Sequence, residues 1–134
     1  MDLLTERLRA RLRANADHRD GLDRDPVPVV KFFNPCGAAT WLATELDEDG
    51  DTLFGLADLG FGCPELGSFS LSEIASVRLP FGLRIERDLH FSTTHRLSEW
   101  ADAARRAGSI ISAATLLHRA ARASGTELPG ASRR

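Results

Sequence analysis

The residues best able to do chemistry fall on alternate positions of one short segment: Arg84, Glu86, Asp88 and His90. If residues 83–91 form a strand, period-two alternation puts these four on one face and Leu83, Ile85, Arg87, Leu89 and Phe91 on the other. Glu45, Asp58 and Glu65 join them wherever the strands that carry them are neighbours. Carboxylates and an imidazole that converge can hold a divalent ion, or separate into an acid and a base with pKa values pushed apart. Glu45, Asp58, Glu65, Asp88 and His90 are the set for such a metal-dependent hydrolase or nuclease. The competing reading is an ion-pair surface with no catalytic residue, metal or cofactor. Its binding face consists of Asp58, Glu65, Arg84, Glu86, Arg87 and Asp88. Ion-pair networks are commoner than sites, which favours the second reading.

Other constellations fail on spacing. The stretch FGLADLGFGCPELGSFSLSEI, residues 54–74, resembles a phosphate cradle in its glycines. A dinucleotide fingerprint starting at Gly60 needs glycine at position 65, where Glu65 stands, and a P-loop starting at Gly62 has Ser68 in place of the lysine. Asp58 and Glu65 would also repel a phosphate, and Pro64 removes a backbone donor. Glu45, Asp47, Asp49 and Gly50 imitate a calcium loop, but its twelfth position is Leu56 instead of glutamate. Cys36, Cys63, His90 and His95 include no C-x-x-C pair, so the usual zinc knuckle is missing. No Ser-His-Asp or Cys-His arrangement is recognisable. For nucleic acid, Arg105, Arg106, Arg119 and Arg122 form a basic helical face without an aromatic platform beside it.

Elements that could position these groups are legible from hydrophobic period. Leu4, Leu8 and Leu12 recur every fourth residue and predict an amphipathic helix over 2–16. A polar linker follows over 16–26. Val27 to Phe33 form a strand that Pro28 confines to an edge or to its beginning. ATWLATEL (39–46) and DTLFGLADLG (51–60) predict a hairpin, with Asp49-Gly50 supplying left-handed residues for a type I′ turn. Ser70-Leu71-Ser72-Glu73 is a capping box that opens a short helix near 71–77. Residues 83–91 are the last strand, and helical period returns from about 97, with Gly108-Ser109 either breaking that helix in two or tolerated within it. The order predicts an α+β domain over 1–124 with a small antiparallel sheet of about four or five strands, and a flexible tail over 125–134.

Composition limits the setting. At 134 residues the chain fits one core. No apolar run reaches the ~18 residues of a membrane helix. The charged N-terminus is not a secretory signal, and two cysteines make no disulfide framework. These observations predict a cytoplasmic bacterial protein with reduced thiols. The net charge of −2 is unevenly placed. Residues 21–95 carry five basic and twelve acidic groups, hence −7, whereas residues 96–134 carry seven arginines and three acids, hence +4. An acidic module of this kind suits contact with a basic partner.

Residues 27–91 carry a family resemblance through Thr40-Trp41-Leu42 with Glu45, Phe54-Gly55-Leu56 with Asp58-Leu59-Gly60, Pro64-Glu65-Leu66-Gly67, Ser70-Leu71 with Glu73, and Glu86-Arg87-Asp88. The segment resembles a family of small bacterial proteins with a domain of unknown function, typically carried on plasmids, conjugative elements and prophages. The resemblance implies a genomic setting more than a mechanism. Together with the acidic module, it leads to the expectation of a non-enzymatic accessory protein of a mobile genetic element. That protein would bind a host or element protein through an acidic sheet and loop surface, and counter restriction or CRISPR. The metal-dependent hydrolase and a nucleic-acid-binding protein acting through the C-terminal arginines are the alternatives.

Overall fold

A computed structural model describes residues 2–17 and 25–124. The Thr5 hydroxyl accepts the Leu8 N–H at 3.1 Å and so opens helix α1 (Glu6–Asp17), whose Leu12 is fully buried. Five strands follow from the alternating segments: β1 (Val30–Phe33), β2 (Thr40–Leu46), β3 (Thr52–Asp58), β4 (Glu65–Ser70) and β5 (Glu86–Arg87). They form one antiparallel sheet in the order β4-β3-β2-β1-β5. Helix α2 (Leu71–Ser76) follows β4, and α3 (Leu97–Ala107) and α4 (Ile110–Ser124) end the described chain. The architecture is α+β, as the element order predicts.

Both faces of the sheet are covered, and pleating divides the apolar residues between them. Leu12 of α1 packs with Phe32, Trp41, Ala43, Leu46 and Leu53 on one face. Leu42 and Leu56 pack with Trp100, Ala101, Ala104 and Ile110 of α3 and α4 on the other. Fully burying a side chain such as Phe32 or Leu56 contributes about 1.5–3 kcal/mol. A register shift in β2 between Ala43 and Glu45 marks a bulge at Thr44. The freed groups find partners: the Thr44 hydroxyl donates to the Phe54 carbonyl at 3.2 Å, and Asn15 of α1 donates to the Thr44 carbonyl at 2.9 Å. Arg13 and Arg9 of the same helix donate to the carbonyls of Leu46 and Gly50, at 2.6 and 3.3 Å. Beside the bulge, a Cβ on Gly55 would lie 1.8 Å from the Leu42 carbonyl oxygen, so no other residue fits there.

Two local expectations need correction, and one open alternative is decided. In the β2–β3 turn only Gly50 is left-handed (φ 73°), so the turn is not type I′. Asp49 acts through its side chain instead, accepting the N–H groups of Asp51 and Thr52 at 2.9 and 2.8 Å. The strand expected over 83–91 shrinks to Glu86–Arg87. A tight turn at Pro80–Leu83 precedes it, with Phe81 at φ 64° and Gly82 at φ 75°, which is type I′ geometry. After Arg87 the Asp88 carboxylate accepts the His90 N–H at 2.9 Å and turns the chain away from the sheet. The C-terminal helical region is two helices, because Gly108 adopts φ 88° and caps α3. Most of the polar linker and all of the 125–134 tail lie outside the described residues.

Candidate functional site

The carboxylates offered by the sequence do not meet. Glu65 lies on β4 at one edge of the sheet, whereas Glu86 on β5 and Asp88 just beyond it lie at the other. Four strand spacings of ~4.8 Å put these edges roughly 19 Å apart. Glu45 is buried in the central strand β2. Among the described residues, no three His, Cys, Asp or Glu side chains form a group able to hold a metal ion. The set Glu45, Asp58, Glu65, Asp88 and His90 is therefore not a centre. The premise of one polar face over residues 84–90 fails because β5 ends after two residues.

Asp58 has a different role from either reading. Its side chain is fully buried. One carboxylate oxygen accepts the Gly60 N–H at 2.9 Å, the other the Ile110 N–H at 2.9 Å. Ile110 is the first residue of α4, so Asp58 caps that helix from 52 residues away. The cap satisfies an orphan donor and sets negative charge against the positive end of the helix. Asp51 does the same for α2. It accepts the Ser70 hydroxyl at 2.7 Å and the Ser72 N–H at 2.7 Å, while Ser70 itself takes the Glu73 N–H at 3.1 Å. The Ser70 hydroxyl, followed by the Ser72 N–H, holds the Asp51 carboxyl below its ordinary pKa. Hydrogen bonds from Thr52 do the same for Asp49.

The arginines of the expected binding face are also committed. Arg87 points to the α1 side, where it donates to the carbonyls of Asp2 and Leu3 at 3.0 and 2.8 Å and ties down the N-terminal segment. Arg84 donates to the Ala75 carbonyl at 3.2 Å. On the C-terminal helices, Arg105 pairs with Asp102.

Two surfaces emerge in place of the expected one. Near β5 the sheet and helices enclose an open cleft of about 500 Å³, lined by Lys31, Asp88, His90, His95, Trp100 and His118 among others. Lys31 Nζ lies 3.7 Å from the Asp88 carboxylate, and His95 Nδ1 lies 3.7 Å from that of Glu99. Trp100 Nε1 donates to the Thr93 hydroxyl at 3.2 Å, fixing the indole in the wall. Sequence reasoning found His90 and Asp88 but missed His118 and Lys31, which reach the cleft from other elements and have no shared spacing. Lys31 and Asp88 are the fully charged pair of this cleft, and they face each other.

The second surface is the β4 end of the sheet. Residues 32–77 contain no Lys, Arg or His, and eight acids: Glu45, Asp47, Glu48, Asp49, Asp51, Asp58, Glu65 and Glu73. With Asp58 buried and Asp51 engaged as a cap, Glu65 and Glu73 stand exposed on β4 and α2. Beside them, Leu59, Phe61 and Leu66 are 56%, 82% and 47% exposed. Cys36 and Cys63 are exposed free thiols. Among the described residues, no helix is long and apolar enough to cross a membrane.

No curated protein and no solved structure matches the chain. One family model does match, over residues 3–111, a span that includes α1, the whole sheet, both capping carboxylates and the start of α4. The chain therefore belongs to the family described as protein of unknown function DUF2958.

Proposed function

We propose that this chain is a non-enzymatic accessory protein of a mobile genetic element, binding a basic region of a host or element protein through the β4 end of its sheet. One observation carries the reading: residues 32–77 hold eight acids and no cation, and two of those acids, Glu65 and Glu73, stand exposed on β4 and α2 at that end. A surface of one sign steers a partner of the other and repels most alternatives. The setting on a mobile element rests on the resemblance of residues 27–91, and interference with a restriction or CRISPR protein is a role that suits an acidic surface. The hydrolase reading has less support because its ligands lie on opposite edges of the sheet. The nucleic-acid reading has less because Arg105 is paired.

The test compares the wild type with a Glu65→Lys, Glu73→Lys double variant in capture from nuclease-treated bacterial lysate at low salt. The expected result is a stoichiometric basic partner held by the wild type and lost by the variant. A partner held equally by both, or no partner at all, refutes the reading.

A further inference from the structure

β4 is an edge strand whose outward peptide groups can be identified from one bond. The Leu71 N–H donates to the Asp51 carbonyl at 2.9 Å, so this pair is a closely bonded rung. Counting back by two along the register, residues 69, 67 and 65 aim their peptide groups at β3. Leu66 and Ser68 aim theirs away from the sheet. No described residue bonds to either backbone on that side. Natural edges are usually blunted by lysine, proline, a bulge or a covering element. Between residues 65 and 70 there is no lysine or proline, and the pairing with β3 runs without a register shift.

Side chains on this edge alternate in chemistry. Leu66 faces the α3–α4 side and is 47% exposed, while Glu65 faces the α1 side and is also exposed. On the Glu65 face, a Cβ placed on Gly67 would meet nothing within 4 Å, which leaves room for an incoming side chain.

We infer that the β4 edge of this protein accepts an extended segment with alternating basic and apolar residues, which joins the sheet as a sixth strand through the peptide groups of Leu66 and Ser68. The inference rests on the protein-binding reading above and adds the mode of binding and the partner's chemistry. A basic residue beside Glu65 and an apolar one beside Leu66 match the two faces. Pairing of two β4 edges is disfavoured, since it brings together two acidic edges with no cation between them.

The experiment uses the full chain and a capped peptide of alternating lysine and valine. Controls are the same peptide N-methylated at alternate backbone nitrogens and its glutamate–valine counterpart. Amide hydrogen exchange of Leu66 and Ser68 is followed by NMR at low salt. Lysine–valine peptide is expected to slow both amides at least about tenfold. The N-methylated and acidic peptides, and the Ser68→Pro variant, lose the effect. A lysine–valine peptide that shifts the Glu65 and Glu73 resonances but leaves both amides unprotected overturns strand addition while sparing the protein-binding reading. If no peptide binds and Glu65→Lys, Glu73→Lys leaves partner capture unchanged, both fail. Protection that appears in concentrated protein alone, with a dimer in sedimentation, assigns the edge to a second copy and overturns the proposed occupant.

Discussion

Replacing Asp58 distinguishes a structural carboxylate from a functional one. In the folded chain its two oxygens accept buried or half-buried N–H groups at 2.9 Å each. Hydrogen bonds to a charged acceptor contribute about 1.5–3 kcal/mol apiece. Asp58→Ala removes both and strands the first donor of α4 in a dry contact with the sheet. The expected loss is about 3–5 kcal/mol, from two such bonds. For a chain of this length that corresponds to a fall in Tm of roughly 10–20 °C. Asp58→Asn keeps one acceptor but turns its amide towards the other donor, so it should fall about midway. Urea denaturation of the three proteins measures the differences. Exchange of the Ile110 and Gly60 amides should accelerate in both variants before global unfolding is reached. A stability loss below about 1 kcal/mol in Asp58→Ala, with those amides unchanged, refutes the capping role.

Further expectations concern single backbone and charge features. Gly55→Ala should leave no stable fold by circular dichroism, because the added methyl meets the Leu42 carbonyl oxygen at 1.8 Å; a variant with native Tm contradicts the close approach. Phe81 is 96% exposed at φ 64°, so Phe81→Asn should raise stability by about 1 kcal/mol, since asparagine tolerates that region and no packing is lost. A lower Tm for that variant shows that Phe81 contacts the rest of the chain. The Asp51 carboxyl is held below its ordinary value of 3.8, so its contribution is complete above that pH and disappears as pH falls through the lower folded value. Asp51→Asn should therefore lose stability near neutral pH and show a shallower decline below about pH 4 in a Tm–pH series. Parallel curves there exclude the Ser70 and Ser72 bonds as its source.

What the sequence made legible depends mostly on neighbours along the chain. Leu8 and Leu12 mark α1 because helical period is local, and Ser70 announces α2 because a cap reaches only three residues. The β2–β3 hairpin follows from alternation on both sides of Gly50. The larger failures share a cause too. Residues 83–91 alternate as well as any strand, yet the ladder needs a partner, and β1 supplies only Phe32 and Phe33 opposite Arg87 and Glu86. Alternation states which faces a segment has, not how far another strand accompanies it.

The site was misread for the same reason, and the correction bears on function. A carboxylate beside a glycine turn looks available, and nothing within several residues of Asp58 reveals that Ile110 will bring a helix N-terminus to it. Asp25 behaves likewise, accepting the Ser98 N–H of α3 at 3.0 Å from 73 residues away. Asp25, Asp51 and Asp58 thus counter the positive ends of α3, α2 and α4, and local net charge overstates the acid left for a partner. Subtracting them shrinks the acidic face expected from composition. Glu65 and Glu73 remain outward, next to the only sheet edge where a six-residue strand in the described chain presents unpaired peptide groups. In the proposed strand addition, charge too sparse to hold a partner by itself selects one while backbone pairing supplies the adhesion, and that combination would tie the acidity of residues 32–77 to the open β4 edge.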